Sequence, residues 1–186
     1  EPYVSTNHND ITDGQCLQAI RLVEESLREA VANGENLEAR TKMVEAEMLG
    51  GMAFNNADLG YVHAMAHQLG GQYDAPHGVC CAVLLPIVER FNIIACPERF
   101  ADLAVAMGEN IDGLSVREAA DKAIDAMQQL NDDVGIPRSI KDLGANPKDF
   151  ELMAENALKD GNAFSNPRKA TKEQIVALFQ AAYDAK

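Results

Sequence analysis

Helical periodicity runs through almost the whole chain and constrains the fold more than any other feature. Apolar residues recur at three- and four-residue intervals, and no stretch shows the alternation of apolar and polar residues that is typical of a β-strand. The pattern predicts helices over 10–34, 37–54, 59–69, 97–107, 115–133, 148–159 and 171–184, with a very apolar segment at 79–94. We therefore predict one all-α domain over residues 1–186, a bundle of seven or eight helices without internal repeats.

Residues with special backbone preferences indicate where these helices begin and end. Asp10 or Thr12 can cap the first helix, and the Gly-Gly pair at 70–71 is expected to end the third. Pro86 is expected to start or kink a turn inside the apolar segment. The Gly-Gly pair at 50–51 weakens the second helix by about 1 kcal/mol per residue relative to alanine. We interpret this second pair as a point of close packing against another backbone.

The charge balance excludes two classes of partner. The chain has 29 acidic residues against 16 basic ones, a net charge of −13, and no basic stripe. Such a surface repels nucleic-acid phosphates and anionic lipid headgroups. We also expect no membrane helix, because the apolar runs fall short of the roughly 18 residues that one needs. The expected partners therefore include no nucleic acid and no membrane.

The four cysteines indicate a reducing compartment. Cys16, Cys80, Cys81 and Cys96 show no CxxC spacing, and the adjacent pair at 80–81 sits in the apolar segment. We interpret them as buried, reduced thiols, which favours a cytoplasmic location. Cys80 and Cys81, like Met65, are expected to pack in the core.

Three of the four histidines lie within residues 61–79, in the stretch "YVHAMAHQLGGQYDAPHGV". His63 and His67 are four residues apart on a predicted helix and therefore share one face, one turn apart. His77 follows after a glycine turn that can fold it back. Neutral imidazoles suit iron or zinc, so the cluster can supply metal ligands, or one ligand beside a catalytic imidazole. No nearby carboxylate has an obvious ligand spacing: Asp58 matches a helix poorly, whereas Asp74, on the loop, is a possible ligand.

The region "GMAFNNADLGYVHAMAHQLGGQYDAPHGVCCAVLLP" closely resembles the signature region of the iron-containing (group III) alcohol dehydrogenases. The resemblance extends over essentially the whole chain, through "YVST" near the start, "GIP" at 135–137 and "ALKDGNAFSNPRKAT" near the end. Members of this family have an N-terminal α/β domain that carries the nicotinamide cofactor and a C-terminal all-helical domain that carries most of the metal site. The resemblance implies that this chain is the helical domain and that the N-terminal nucleotide-binding domain is absent from it.

The resemblance also implies a division of roles among the histidines. In the family an Asp and a His in a motif like "DALTHA(x)E", directly before "YVST", hold the metal together with two further histidines. The chain begins at Glu1, just past that motif, so two expected ligands fall outside it and His63 and His77 remain. His67 is then not a ligand; it lies beside the nicotinamide and the substrate as a catalytic proton relay. His63 and His77 are expected to converge on one cavity, with His67 one turn from His63 on the same side.

Further positions follow from the resemblance. Phe54, Asn162 and Phe164 are expected to line the substrate pocket, and Ile87 stands where close relatives often have a histidine that is not a metal ligand. The implied cofactors are Fe²⁺, with Zn²⁺ as a substitute, and NAD or NADP, bound mainly by the N-terminal domain. The implied partners are a small alcohol or aldehyde, the missing N-terminal domain and further copies of the chain in a homo-oligomer. The surface facing that domain is expected to expose Phe54, Phe164 and parts of 79–85.

The resulting function is a metal-dependent, NAD(P)-linked alcohol dehydrogenase that oxidises a primary alcohol or diol to the aldehyde and catalyses the reverse reaction. The metal polarises the alcohol oxygen, the nicotinamide takes the hydride, and an imidazole carries the proton outward. The alternative is an autonomous helical metal-binding module that uses His63, His67 and His77 as a three-imidazole zinc site. A third candidate is a relative of dehydroquinate synthase or glycerol dehydrogenase, against which the "HAMAHQLGG" and "PHG" motifs argue.

Overall fold

The computed structural model describes residues 1–186 and contains eight α-helices and no β-strand, as the periodicity predicts. The helices are α1 (Asp10–Ala32), α2 (Leu37–Ala57), α3 (Tyr61–Tyr73), α4 (His77–Asn92), α5 (Pro97–Ala106), α6 (Val116–Asp133), α7 (Phe150–Lys159) and α8 (Lys172–Asp184). Short 3-10 turns cover Ile93–Ala95, Ile140–Leu143, Pro147–Asp149 and Gly161–Ser165. The all-α prediction is therefore confirmed.

The helix starts follow side-chain capping. Asn9, and neither Asp10 nor Thr12, is the N-cap of α1; its side chain accepts hydrogen bonds from the backbone N–H groups of Ile11 and Thr12. Thr12 completes a capping box by accepting the Asn9 backbone N–H at 3.0 Å. The first-helix cap predicted from the sequence is thus wrong by one residue, because asparagine in extended conformation serves this position as well as aspartate.

The two Gly-Gly pairs behave differently from the prediction. Helix α3 continues through 70–71 to Tyr73 and ends at Asp74, which has left-handed backbone torsions. A cost of about 1 kcal/mol per glycine does not end this helix, since Leu69 is fully buried and holds the turn against the core. The pair at 50–51 faces open space, since a Cβ at either position would meet no atom within 4 Å. The close approach between α1 and α2 is made instead by buried alanines, namely Ala39, Ala46 and Ala53.

Gly60, directly before α3, is the glycine that a close contact requires. A Cβ there would lie 2.7 Å from Asn166 Oδ1 and 2.8 Å from Glu1 Oε1. Both oxygens accept backbone N–H groups from the first turn of α3. A side chain at this position would therefore displace the groups that hold the start of the helix.

Pro86 lies inside the continuous helix α4, so the expectation that it would start a turn within the apolar segment is wrong. A proline in a helix lacks the N–H that would bond the carbonyl four residues earlier. That carbonyl, on Ala82, accepts a hydrogen bond of 2.7 Å from the Asn131 side chain on α6. A residue distant in sequence thus satisfies the group that the proline leaves free.

The segment His77–Ala95 also corrects the expectation about apolar runs. It is 19 residues long with a mean hydropathy of 1.8, enough by length and composition to cross a membrane. In the fold, α4 instead packs against α3, α6 and α8. Cys80, Leu84 and Val88 are fully buried in the larger of two hydrophobic clusters. The apolar composition of this segment is that of a core helix.

Two hydrophobic clusters support the site. The larger one joins α3, α4, α7 and α8, where Phe150 stacks on Phe179 with ring centroids 5.6 Å apart. The smaller one contains residues of α1, α5 and α6, including Phe100 and Ile124. Because the buried face of α3 is anchored by Met65 and Leu69, its opposite edge presents the predicted histidines toward the first turn of α4.

Candidate functional site

The three clustered histidines converge. The ring centroids are 5.3 Å apart for His63 and His77, 5.4 Å for His67 and His77, and 6.3 Å for His63 and His67. The expected convergence of His63 with His77, and the placement of His67 on the same side, are confirmed. The residues 74–76 turn the chain back between α3 and α4, and His77 becomes the first residue of α4.

A carboxylate from the start of the chain fixes His63. Glu1 accepts the backbone N–H of Val62 at 2.7 Å and that of His63 at 3.3 Å, and it also accepts a hydrogen bond from His63 Nδ1. With its side chain only 4% exposed, Glu1 supplies the cap that Gly60 cannot give to α3. A carboxylate on Nδ1 sets the tautomer and leaves Nε2 free for a ligand, the arrangement common around metal-binding histidines.

A buried polar network lies beneath the start of α3. Asn166 Oδ1 accepts the backbone N–H of Tyr61 at 3.1 Å, and its side-chain NH₂ donates to Asn92 Oδ1 at 2.8 Å. Asn92 in turn donates to Glu89 at 3.1 Å. Burial raises the pKa of Glu89 to about 7. The network joins the end of α4 to the start of α3 and so restricts the position of His63.

Asp160 holds His67 in the same way that Glu1 holds His63. His67 Nδ1 donates to Asp160 Oδ2 at 2.8 Å, while the other carboxylate oxygen accepts the backbone and side-chain N–H groups of Asn162, each at 2.9 Å. Partial burial acts to raise the pKa of Asp160, but the hydrogen bonds from His67 and Asn162 outweigh it and lower this pKa. The His67 Nε2 atom remains available, on a side chain that is 41% exposed.

His77 and Cys81 complete a compact set of donor atoms. Partial burial and the neighbouring imidazoles of His63 and His67 lower the pKa of His77, which favours the neutral, metal-binding form. Cys81 Sγ lies 3.6 Å from His77 Nε2, and burial raises the pKa of this thiol to about 12. One donor atom from each of His63, His77 and Cys81 lies within 4.8 Å of the others. Two imidazoles and a sulfur fit a divalent transition-metal ion.

The other predicted positions are placed as follows. Asn162 reaches the histidines through Asp160, while Phe54 and Phe164 are 45% and 70% exposed. Their assignment to a substrate pocket stays a prediction. Parts of 79–85 were expected to be exposed: Val79, Cys81, Ala82 and Leu85 are partly exposed, whereas Cys80, Val83 and Leu84 are buried.

The remaining predictions concern carboxylates and thiols. Asp58 caps the end of α2 and Asp74 the end of α3, and the donor set contains neither. All four cysteines are free, although Cys81 and Cys96 are only partly buried. Cys81 does pack against the larger cluster, and it also faces His77, which the sequence analysis missed.

Sequence reasoning missed three residues of this site: Glu1, Asp160 and Cys81. The contacts of Glu1 with His63 and of Asp160 with His67 span 62 and 93 residues, and no local pattern signals them. Cys81 carries a signal, because it lies four residues after His77 and on the same face of a helix.

Comparison with known proteins relates the chain to one family of alcohol dehydrogenases. The family model described as Fe-containing alcohol dehydrogenase family, C-terminal, matches residues 1–183. The chain is 60% identical over 183 residues to a 1,3-propanediol dehydrogenase of Klebsiella pneumoniae, covering 98% of this chain and 47% of that protein. It is 44% identical to an NAD-dependent methanol dehydrogenase of Bacillus methanolicus, covering 98% and 48%.

Solved structures share the fold. An alcohol dehydrogenase from Oenococcus oeni superposes with a TM-score of 0.97 at 77% identity, covering 98% of this chain and 48% of that one. The chain therefore spans about half the length of the relatives that it matches.

Proposed function

Because this chain belongs to the iron-containing alcohol dehydrogenase family, matching its C-terminal part, we propose that it forms the metal-binding half of a two-domain, NAD(P)-linked alcohol dehydrogenase. The observation that carries the proposal is the convergence of His63 and His77 on one space, with His63 Nδ1 held by Glu1. The substrate would be a primary alcohol or diol, oxidised to the aldehyde in a reversible reaction. The names of the relatives, which act on 1,3-propanediol and methanol, support this substrate class.

His63 and His77 would hold the metal from this chain. When bound, Fe²⁺ supplies Lewis-acid polarisation of the alcohol oxygen, a role that Zn²⁺ can also fill. Glu1 presents His63 in a single tautomer, and the lowered pKa of His77 keeps its ring neutral. Both ligands are thus prepared by the protein before an ion arrives. The remaining donors would come from the N-terminal half, as the family resemblance implies.

His67 would carry the proton. Its Nδ1 is fixed by Asp160, so Nε2 is the nitrogen that can accept a proton from the substrate hydroxyl. The Asp160 carboxylate stabilises the imidazolium that this transfer creates, and the exposed edge of the ring can pass the proton to solvent. Asn162 fixes Asp160 in turn. Phe54 and Phe164, with Asn162, would line the pocket and contact the substrate or the nicotinamide.

The nicotinamide cofactor, NAD or NADP, would be bound mainly by the N-terminal half. The family match to about half the length of each relative supports a missing partner domain. The exposed aromatic rings of Phe54 and Phe164 provide apolar area that such a domain can cover. We further assign the enzyme to the cytoplasm, supported by the four free cysteines.

A homo-oligomer is supported by the outer face of α2. Opposite its buried alanines, this helix carries an exposed apolar stripe made of Leu37, Val44, Met48 and Met52. An antiparallel copy of α2 centred near Val44 would place the exposed Arg40 of each copy opposite the exposed Glu47 of the other. Apolar contact flanked by opposite charges is the usual composition of a symmetric interface.

The alternative three-imidazole module is less well supported by the donor geometry. The compact donor set contains Cys81 and not His67. His67 is instead bound to Asp160, which suits a proton-transfer group.

Joining this chain to the N-terminal half of the Klebsiella pneumoniae 1,3-propanediol dehydrogenase tests the proposed function. We expect the two-domain protein to reduce NAD with 1,3-propanediol when ferrous iron is present, and to lose this activity on chelation. The measurement is NADH absorbance with and without iron. A correctly folded two-domain protein that binds iron but oxidises no alcohol would contradict the proposal.

Changing His67 in this two-domain protein should separate catalysis from metal binding. We expect His67→Ala to retain its iron while turnover falls by about 10²- to 10⁴-fold, the usual contribution of a general base. Metal analysis and steady-state turnover are the two measurements.

Asp160→Asn is the companion variant for His67. An amide keeps the size of the side chain but removes the charge that stabilises the imidazolium, so we expect a smaller loss of turnover and an altered pH profile. Loss of iron from either variant would contradict the assigned roles.

A further inference from the structure

Cys81 lies one helical turn after His77 on α4, and its sulfur faces the space shared with His63. We propose that Cys81 is a third protein ligand when this site takes a thiophilic divalent ion such as Zn²⁺ or Co²⁺. The inference rests on the proposed binding of metal by His63 and His77, and it adds a sulfur donor to that site.

The separation between Cys81 Sγ and His77 Nε2 suits coordination of one ion by both atoms. In a tetrahedral zinc site, bonds of about 2.3 Å to sulfur and about 2.05 Å to nitrogen place the two donors about 3.6 Å apart. The distance between Cys81 Sγ and His77 Nε2 is 3.6 Å. The donors of His63, His77 and Cys81 all lie within 4.8 Å of one another, so small side-chain rotations can bring all three to one ion.

The local structure distinguishes Cys81 from its neighbour. Cys80 is fully buried, whereas Cys81 is only partly buried and His77 is exposed. Successive residues on a helix point about 100° apart, and this rotation directs Cys80 into the core and Cys81 toward the histidines. An ion can therefore reach the sulfur from the exposed side of His77.

The donor atoms of His63, His77 and Cys81 determine which metal ions the site prefers. Thiolate ligands favour zinc and cobalt over harder ions, and binding displaces the thiol proton to the solvent as the metal–sulfur bond forms. Within the 186-residue chain, two imidazoles and one thiolate leave a fourth tetrahedral position open. We therefore expect ferrous iron to be held by the imidazoles and by the carboxylate of the N-terminal half. Zinc or cobalt would bind the Cys81 sulfur in addition to the imidazoles.

Cobalt titration of the 186-residue chain tests this proposal, in buffer that contains no thiol reductant. Wild-type protein is expected to develop the sulfur-to-cobalt charge-transfer band in the near ultraviolet, and X-ray absorption of the zinc-loaded protein should show one sulfur at about 2.3 Å. Cys81→Ser should lose the band. It should also bind zinc at least about 10-fold more weakly, because removing even a residue that only hydrogen-bonds to a metal ligand lowers metal affinity by about that factor. Circular dichroism confirms that each variant keeps its helix content.

Cys96→Ser is the matched control, because Cys96 is also partly buried but lies between α4 and α5, packed against the smaller cluster. It should bind cobalt and show the band like the wild type. Cobalt binding without the band, or zinc with only nitrogen and oxygen neighbours, would overturn the assignment of Cys81 and leave the proposed dehydrogenase intact. Failure of the wild-type chain to bind either zinc or cobalt would also overturn the assignment of Cys81 as a ligand. The iron-dependent assay of the two-domain protein tests the proposed dehydrogenase function separately.

Discussion

Replacing His63 or His77 with alanine should release the iron and abolish turnover in a two-domain protein that contains this chain. Each replacement removes one of the two imidazoles that this half is proposed to contribute, whose ring centroids are 5.3 Å apart. The remaining clustered imidazole, His67, is bound to Asp160 and could replace a lost ligand only by breaking that hydrogen bond. Losing an outer hydrogen-bond partner of a metal ligand already costs about 10- to 100-fold in affinity. We therefore expect more than a 100-fold loss of iron affinity, since here the ligand itself is removed.

The measurement is metal content after desalting, together with NADH production. His8→Ala is the matched control: His8 is the fourth histidine of the chain, exposed and paired with Asp13 at 3.2 Å, and it belongs to neither the ring pairs nor the donor set of the cluster. It should keep both iron and activity. Equal iron contents in the His63, His77 and His67 alanine variants would show that the division into two ligands and one proton-transfer group is wrong.

The 186-residue chain by itself should oxidise no alcohol. Two imidazoles give ferrous iron an incomplete set of donors, since iron also prefers carboxylate oxygen, and we expect weak iron binding. The nicotinamide would be held mainly by the N-terminal half, so no hydride acceptor would be positioned. An assay with ferrous iron, NAD and 1,3-propanediol should show no NADH. Robust iron-dependent NADH production by a chain of confirmed mass would mean that a complete site exists within these residues.

The same chain should also self-associate on a sizing column. Phe54 and Phe164 are exposed, as is the α2 stripe that includes Met48. Met48→Lys places a charge in the centre of that stripe and should shift elution toward the monomer. Val105→Lys, at a similarly exposed apolar position on α5, should leave elution unchanged. Identical elution of Met48→Lys and wild type would exclude α2 as the contact surface.

Much of the fold could be predicted from local sequence, because a helix is stabilised by neighbours three and four residues apart. The periodicity located seven of the eight helices to within a few residues, whereas α4 was predicted only as an apolar segment with a turn at Pro86. Ser115 and Thr171, residue types that favour N-caps, begin α6 and α8. Spacing also placed His63 and His67 on one face. The family resemblance, carried by "HAMAHQLGG" and "PHG", supplied the roles that spacing left open.

Errors arose where a distant residue outweighed a local preference. Pro86 continues a helix because Asn131 satisfies the freed Ala82 carbonyl. Helix α3 continues through two glycines because Leu69, directly before them, is packed in the core. The length and hydropathy of the segment that contains α4 fit a membrane helix as well as they fit a buried core helix. Only the packing of α4 against three other helices identifies it as a core helix.

The amino-acid sequence by itself determined the helices, the family and the identity of the clustered imidazoles. Only the tertiary structure decided which nitrogen of each ring is free, because Glu1 and Asp160 reach His63 and His67 across 62 and 93 residues. The same holds for Cys81, whose sulfur faces the histidines because α4 turns Cys80 into the core. Hydrogen bonds and metal-ligand sets require side chains to lie within a few ångströms of one another. Residue spacing in the sequence predicts such distances only for side chains on the same helix, because there the geometry repeats regularly.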